Sequence, residues 1–232
     1  MNLHPDCVVH EVEQGSDEWH EIRCGLLTAS AVSALVTPTL KLANNDKTRQ
    51  HVYEIAAQRI SKYTEPTYYN DAMMRGHVDE VNARDLYSER VAPVCETGII
   101  TRDIGGAVIG FSPDGCGVFD PFGIEVKSRI QKYQIQTIAT NEVPKEHILQ
   151  IQTGLLVTGW EYMDYISYSG GLPMWTIRCE PIEEYQEAIK EAAIEFERQV
   201  QEIIDTYHER LAGVDVIETE REEPEKEVYF DG

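Results

Sequence analysis

The stretch from residue 182 to residue 211 constrains this chain most. Ile182, Tyr185, Ile189, Ala193, Phe196, Val200, Ile203, Tyr207 and Leu211 recur at steps of three and four. That spacing puts them on one stripe of a long amphipathic helix, and its acidic remainder reads as a solvated face. The other residues must therefore supply an apolar surface for the stripe to cover.

They carry both helical and strand patterns. Ser16 or Asp17 can cap a short helix bearing Trp19, Ile22 and Arg23. Ser30 or Thr28 reads as the N-cap of a second short helix through Val32, Leu35 and Val36. Residues 46–62 place Val52, Ile55, Ala56, Arg59 and Ile60 at helical spacing, and 73–91 form another candidate, with Val78, Leu86 and Val91 among charges. The character then changes to short β-rich runs at 98–102, 107–111 and 122–127, separated by Ser112-Pro113-Asp114-Gly115 and Asp120-Pro121-Phe122-Gly123. Pro144 suits the first turn of a helix reaching about Thr158, and 162–168 and 174–179 read as strands. The expected fold class is α/β, with a central mixed sheet flanked by helices. Residues 1–212 read as one domain and 213–232 as a mobile acidic tail broken by Pro224.

The chain of 232 residues has a formal net charge of −21, which taken whole argues against nucleic acid. The excess is uneven. Residues 180–232 hold a net −13 and residues 1–179 only −8, so a local basic lining in the body is compatible with the total. Five cysteines without a C-x-x-C spacing point to reduced thiols rather than a zinc site or disulfide framework. No apolar run is long enough to span a bilayer and the start lacks a secretory pattern, so no membrane partner and a cytoplasmic location are expected.

The chemistry is carried by Asp114, ten intervening residues, then Glu125-Val126-Lys127. Residues two apart on a strand share a face, so Glu125 and Lys127 project together and Val126 points into the opposite layer. If Phe111 ends one strand and Phe122 begins its hairpin partner, Asp114 lies close to Glu125. Two converging carboxylates form a hard-oxygen site for Mg²⁺, and a lysine beside it can hold water or meet phosphoryl charge. The same residues also read as a plain Pro-Asp-Gly turn followed by an exposed ion pair.

Four ordered blocks separate those alternatives. They are Gln14-Gly15-Ser16-Asp17-Glu18-Trp19 through Gly25 with Thr28-Ala29-Ser30; Arg75-Gly76-His77-Val78-Asp79-Glu80 with Ala83-Arg84 and Leu86-Tyr87; Gly110–Gly115 with Ile124–Lys127; and Gln150-Ile151-Gln152 with Val157-Thr158-Gly159. Together they resemble the lambda-exonuclease or YqaJ-type viral recombinase branch of the PD-(D/E)xK nucleases. The resemblance implies a restriction-endonuclease-like core in which Asp114, Glu125, the carbonyl of Val126 and Glu80 hold Mg²⁺, with Mn²⁺ as a substitute. It implies that Lys127 is catalytic and that Gln152 positions the nucleophile, while Gln150, two residues away on a helix, receives no role. It further implies that Arg23, Ser30 and Thr28 bind DNA phosphates near the cleaved end.

The implied activity is Mg²⁺-dependent digestion of one strand of linear double-stranded DNA from a 5′ end. That leaves 3′ overhangs for recombination by strand annealing. A ring of three subunits, a single-strand annealing partner and a phage or prophage source come with it. The competing expectations are an endonuclease or repair nuclease of the same superfamily, or a non-catalytic acidic DNA mimic that kept the fold.

Overall fold

The computed structural model describes residues 2–66 and 71–221. In chain order the elements are β1 (Cys7–His10), α1 (Asp17–Arg23), β2 (Leu27–Thr28), a 3-10 turn (Val32–Ala34), α2 (Asp46–Ser61), α3 (Asp71–Arg90), β3 (Val94–Cys95), β4 (Ile99–Ile104), β5 (Ala107–Phe111), β6 (Gly115–Gly117), β7 (Phe122–Ser128), α4 (Gln131–Thr140), α5 (Lys145–Thr158), β8 (Tyr162–Tyr168), β9 (Trp175–Cys179) and α6 (Glu183–Leu211). None of the described helices is long and apolar enough to cross a membrane.

The α/β class and the long final helix are as expected, but the single central sheet is two. One has the order β1-β4-β5-β2 and the other β3-β6-β7-β8-β9, and both mix parallel and antiparallel pairs. The expected hairpin is corrected accordingly. β5, ending at Phe111, pairs with β4 and β2, whereas the antiparallel partner of β7 is the three-residue β6. The Pro113-Asp114 turn carries the chain from one sheet to the other.

The stripe of α6 buries Ile189, Ala192, Ala193, Phe196 and Val200, while Ile182, Tyr207 and Leu211 at its ends stay exposed. Its core joins α2, α5, β4 and β5 through Val52, Ile55, Ile104, Phe111, Ile151 and Leu155. A bidentate pair between Arg59 and Glu197, at 2.5 and 2.8 Å, ties α2 to α6.

A second apolar layer lies under α3, where Ala83 and Tyr87 pack on Phe122, Ile124, Val126 and Ile166. The apolar residues expected to mark that helix, Val78, Leu86 and Val91, are exposed, and its buried face is Asp79, Ala83, Arg84 and Tyr87. The polar groups are satisfied there: Tyr87 donates to Asp164 at 2.6 Å, and Asp79 accepts from Ser128 at 2.5 Å. On the other face of β7, Gly123 admits the Trp160 ring; a Cβ there would sit 2.2 Å from it.

Ser16 caps α1 as expected, accepting from the Trp19 N–H at 3.2 Å. The second predicted cap is corrected. Thr28 belongs to β2, paired with Gly110, and the 3-10 turn that follows has Ala31 at its N-cap and no side-chain cap. Thr28 and Ser30 instead bond each other through their hydroxyls at 3.2 Å. Pro144 stands at the N-cap of α5, one place before its first turn. Residues 213–221 are exposed and without regular structure, and the rest of the expected tail, Pro224 included, lies outside the described residues.

Candidate metal centre and phosphate pocket

The strand β7 sets the site. Phe122, Ile124 and Val126 face α3, so the alternation turns Glu125 and Lys127 toward α5. Glu125 is 1% exposed. Its Oε1 accepts from Lys127 Nζ at 2.5 Å and from Gln150 Nε2 at 2.5 Å. Its Oε2 is buried with no hydrogen-bond partner.

Asp114 precedes β6, and the antiparallel pairing with β7 brings it alongside. Its N–H donates to the Ile124 carbonyl at 3.2 Å, and its Oδ2 accepts from the Val126 N–H at 2.5 Å. Glu80 approaches from α3 and pairs with Arg84 at 3.5 Å. Arg84 also donates to the Asp114 carbonyl at 2.8 Å and to the Glu96 carboxylate, fixing the turn from below.

The electrostatics show a shortage of positive charge. Asp114 keeps some solvent contact, yet burial among protein atoms raises its pKa well above the usual carboxylate range, and Glu125 and Glu80 add to the rise. Glu80 is raised by burial and by Glu125, against the pull of Arg84, His77 and Lys127. Burial alone would lower Lys127, but Glu125 and Asp114 outweigh it and hold the ammonium charged. Three carboxylates thus crowd Lys127, with Arg84 offsetting Glu80 alone.

Among the described residues, no three His, Cys, Asp or Glu side chains are gathered closely enough to cage a metal by themselves. Glu80 pairs with Arg84 and also interacts electrostatically with Asp114 and Glu125. The residues nevertheless fit a hard divalent cation. A buried carboxylate oxygen without a partner is costly, and Glu125 Oε2, on a carboxylate that interacts electrostatically with Asp114, supplies the oxygen chemistry such an ion takes.

Gln152 does not reach this centre. It is 2% exposed and points away, donating to the Glu180 carbonyl and accepting from the Ile182 N–H, both at 2.8 Å. It ties the end of β9 to the start of α6. The residue of that pair which touches the centre is Gln150, through Glu125 alone, and it is the one to which the sequence assigned no role. The 3.6-residue period separates the two glutamines but does not say which faces β7.

Next to the Asp114 turn lies a second feature. Trp19 Nε1 donates to Ser112 Oγ at 3.1 Å, and the Gln14 side chain donates to the Thr97 and Pro113 carbonyls at 2.8 and 2.9 Å. The Arg23 guanidinium sits 4.1 Å over the Trp19 ring. No acceptor or carboxylate pairs with Arg23 among the described residues, and burial lowers its pKa. Ser30 is exposed nearby in sequence, and Thr28 is buried. A groove of about 620 Å³ lies elsewhere, between α2 and α6, lined by Tyr53, Ile60, Tyr63, Ile203 and Tyr207. It holds none of these groups.

Comparison with known proteins gives the same direction. Residues 18–161 match the YqaJ-like viral recombinase domain. No curated protein matches the chain. The fold is similar to an alkaline exonuclease (LHK-Exo) from Laribacter hongkongensis, with a TM-score of 0.75 and 28% identity over 85% of this chain and 98% of that one. The complex of LHK-Exo with dAMP aligns with a TM-score of 0.73, at the same identity and coverage. A phage-related exonuclease from Haemophilus somnus 129PT shares the fold, with a TM-score of 0.60 at 13% identity over 78% of this chain and 96% of that one. The match and the likeness to an exonuclease support a nuclease function, and the chain belongs to the YqaJ-like viral recombinase domain family.

Proposed function

We propose that this protein is a Mg²⁺-dependent exonuclease that digests one strand of linear duplex DNA from its 5′ end. The product would be a 3′ overhang, the substrate for a single-strand annealing protein. The observation that carries the reading is the set of Asp114, in the turn before β6, with Glu125 and Lys127 on the central strand β7, and a buried Glu125 oxygen lacking any donor.

A divalent cation bound there would neutralise the carboxylates and polarise a phosphodiester. Gln150 and Lys127 fix Glu125 from the α5 side, and the Val126 N–H fixes Asp114, so both carboxylates are oriented before DNA arrives. The Lys127 ammonium, about a quarter exposed, can meet charge developing on the phosphoryl oxygens or hold the attacking water. Glu80 adds a third acidic group at the rim.

Arg23 supports polarity from a phosphorylated end. A half-buried guanidinium without a counter-ion is a site for an anion, and its planar donors suit a terminal phosphate. Trp19 links that pocket to the Asp114 turn, so a phosphate held by Arg23 would register the strand against the carboxylates. A ring of three subunits would set a locally cationic channel, with Arg23, Arg49, Arg75, Lys127, Arg129 and Lys132 as candidates, inside an acidic exterior.

The test uses end-labelled duplexes with 5′-phosphate or 5′-hydroxyl ends and a covalently closed circle, each with and without Mg²⁺. Stepwise release of mononucleotides from the 5′-phosphate end in Mg²⁺ supports the reading. Cleavage of the closed circle would replace it with an endonuclease, and digestion from the 3′ end would overturn the polarity.

A further inference from the structure

The structure assigns a thiol-modification site to Cys95 and Cys116, and we propose that oxidation joins them in a reversible disulfide that disables the Asp114 turn. Cys95 on β3 and Cys116 on β6 are directly opposed in the antiparallel pair. Their sulfurs lie 3.6 Å apart. Opposed residues in such a ladder have Cα atoms about 4.5–5.5 Å apart, within the range of about 4.4–6.8 Å that a disulfide spans. Of the other three cysteines, Cys7 turns its thiol to the Val157 carbonyl, Cys24 to the Gln58 carbonyl and Cys179 to the Ile177 carbonyl.

Access is asymmetric. Cys95 is exposed and Cys116 is 0% exposed, so a soluble oxidant meets Cys95 first. With oxidised glutathione, the Cys95 thiolate attacks one sulfur of the small disulfide and releases one glutathione thiolate. The Cys116 thiol then gives up its proton, attacks the Cys95 sulfur and releases the second. Two protein thiols become one disulfide, and one small disulfide becomes two thiols.

The bond would reach the site through short connections. Cys116 is two residues after Asp114. Arg84 bridges the Asp114 carbonyl and the Glu96 carboxylate, and Gln14 bridges the Pro113 and Thr97 carbonyls. Both straps join the segment after Cys95 to the turn before Cys116. Closing the sulfurs to about 2.05 Å shortens their separation by roughly 1.5 Å; the part that side-chain rotation does not absorb passes through the straps to the Asp114 turn, where a shift of about 1 Å at a catalytic group can cost about 100-fold in rate. The oxidised protein should digest DNA about 10- to 100-fold more slowly. That part rests on the nuclease reading; the linkage does not.

The experiment equilibrates the full chain with graded ratios of oxidised to reduced glutathione, blocks free thiols, and maps the digested peptides by mass. The expected result is a Cys95–Cys116 linked peptide pair within one chain. Its appearance should track the loss of digestion, and dithiothreitol should reverse both. Cys95→Ser should keep the reduced wild-type rate and lose the response. A stable glutathione adduct on Cys95, chain-to-chain dimers, or free thiols throughout would overturn the linkage. A linked pair with full activity would overturn its control of the site. A reduced protein that never digests DNA would sink the nuclease reading, while the peptide map still decides the linkage.

Discussion

Replacing Gln150 and Gln152 in turn separates a positioning group from a structural one. Gln150→Leu removes the donor at 2.5 Å from Glu125 Oε1, leaving Lys127 as its only donor. A hydrogen bond to a charged group contributes about 1.5–3 kcal/mol. If it holds the carboxylate in its working orientation, kcat falls about 10- to 100-fold, at about 1.4 kcal/mol per tenfold. Gln152→Leu leaves the Glu180 carbonyl and Ile182 N–H without their partner. Both groups lie near the surface and regain some water, so the cost is about 1–3 kcal/mol of stability. That corresponds to a Tm lowered by roughly 2–10 °C for a chain of this length, with kcat of the folded protein retained. The assay is single-turnover digestion of an end-labelled duplex beside thermal melting of both variants. A Gln152→Leu protein that stays folded but loses kcat, with Gln150→Leu silent, would refute the reasoning.

Three further outcomes are expected. Arg23→Gln should erase any preference for a 5′-phosphate over a 5′-hydroxyl end, weakening binding of the phosphorylated duplex by about 10- to 100-fold, as a lost charge-assisted contact predicts; an unchanged preference in a binding titration counts against the pocket. Burial first, and then Lys127 and Arg129, push the His147 pKa down from 6.5 to about 4. Between those values the unfolded chain binds the proton and the folded one does not, so stability contributed by neutral His147 falls as pH drops from about 6.5 toward 4, by up to roughly 3 kcal/mol. The urea midpoint of wild type should therefore fall further between pH 7 and pH 5 than that of His147→Gln, and equal falls would contradict this. Phe196→Ala, at the buried centre of the α6 stripe and stacked on His51, should cost about 3–5 kcal/mol in chemical denaturation, and a loss under 1 kcal/mol would mean α6 is not integral to the core.

The sequence made α6 legible because one stripe repeats over eight turns and nothing competes with it. The alternation on β7 was legible for the same reason: Glu125 and Lys127 share a face whatever their partner. The partner itself was not. β6 is three residues with two glycines, too short to register as a strand, so Phe111 looked like the other half of the hairpin. Helix α4 went unseen because its buried positions are Gln134 and Thr137 rather than an apolar stripe; Gln134 donates to the Ser167 and Pro173 carbonyls and accepts from the Ser167 hydroxyl. The face of α3 was misleading in the same way, since it buries Asp79 and Arg84 and exposes Val78. Thr28 was drawn into β2 by pairing with Gly110, a long-range contact that local capping rules cannot anticipate.

Mn²⁺ binding, followed by electron paramagnetic resonance at about 0.15 M salt so that the acidic exterior is screened, tests the centre most directly. The wild-type chain should show a saturable tight site that competes with Mg²⁺, weakened at least tenfold in Glu125→Gln and in Asp114→Asn and kept in Gln152→Leu. Equal tight binding by all four proteins would contradict the assignment of Asp114 and Glu125 as the ligands.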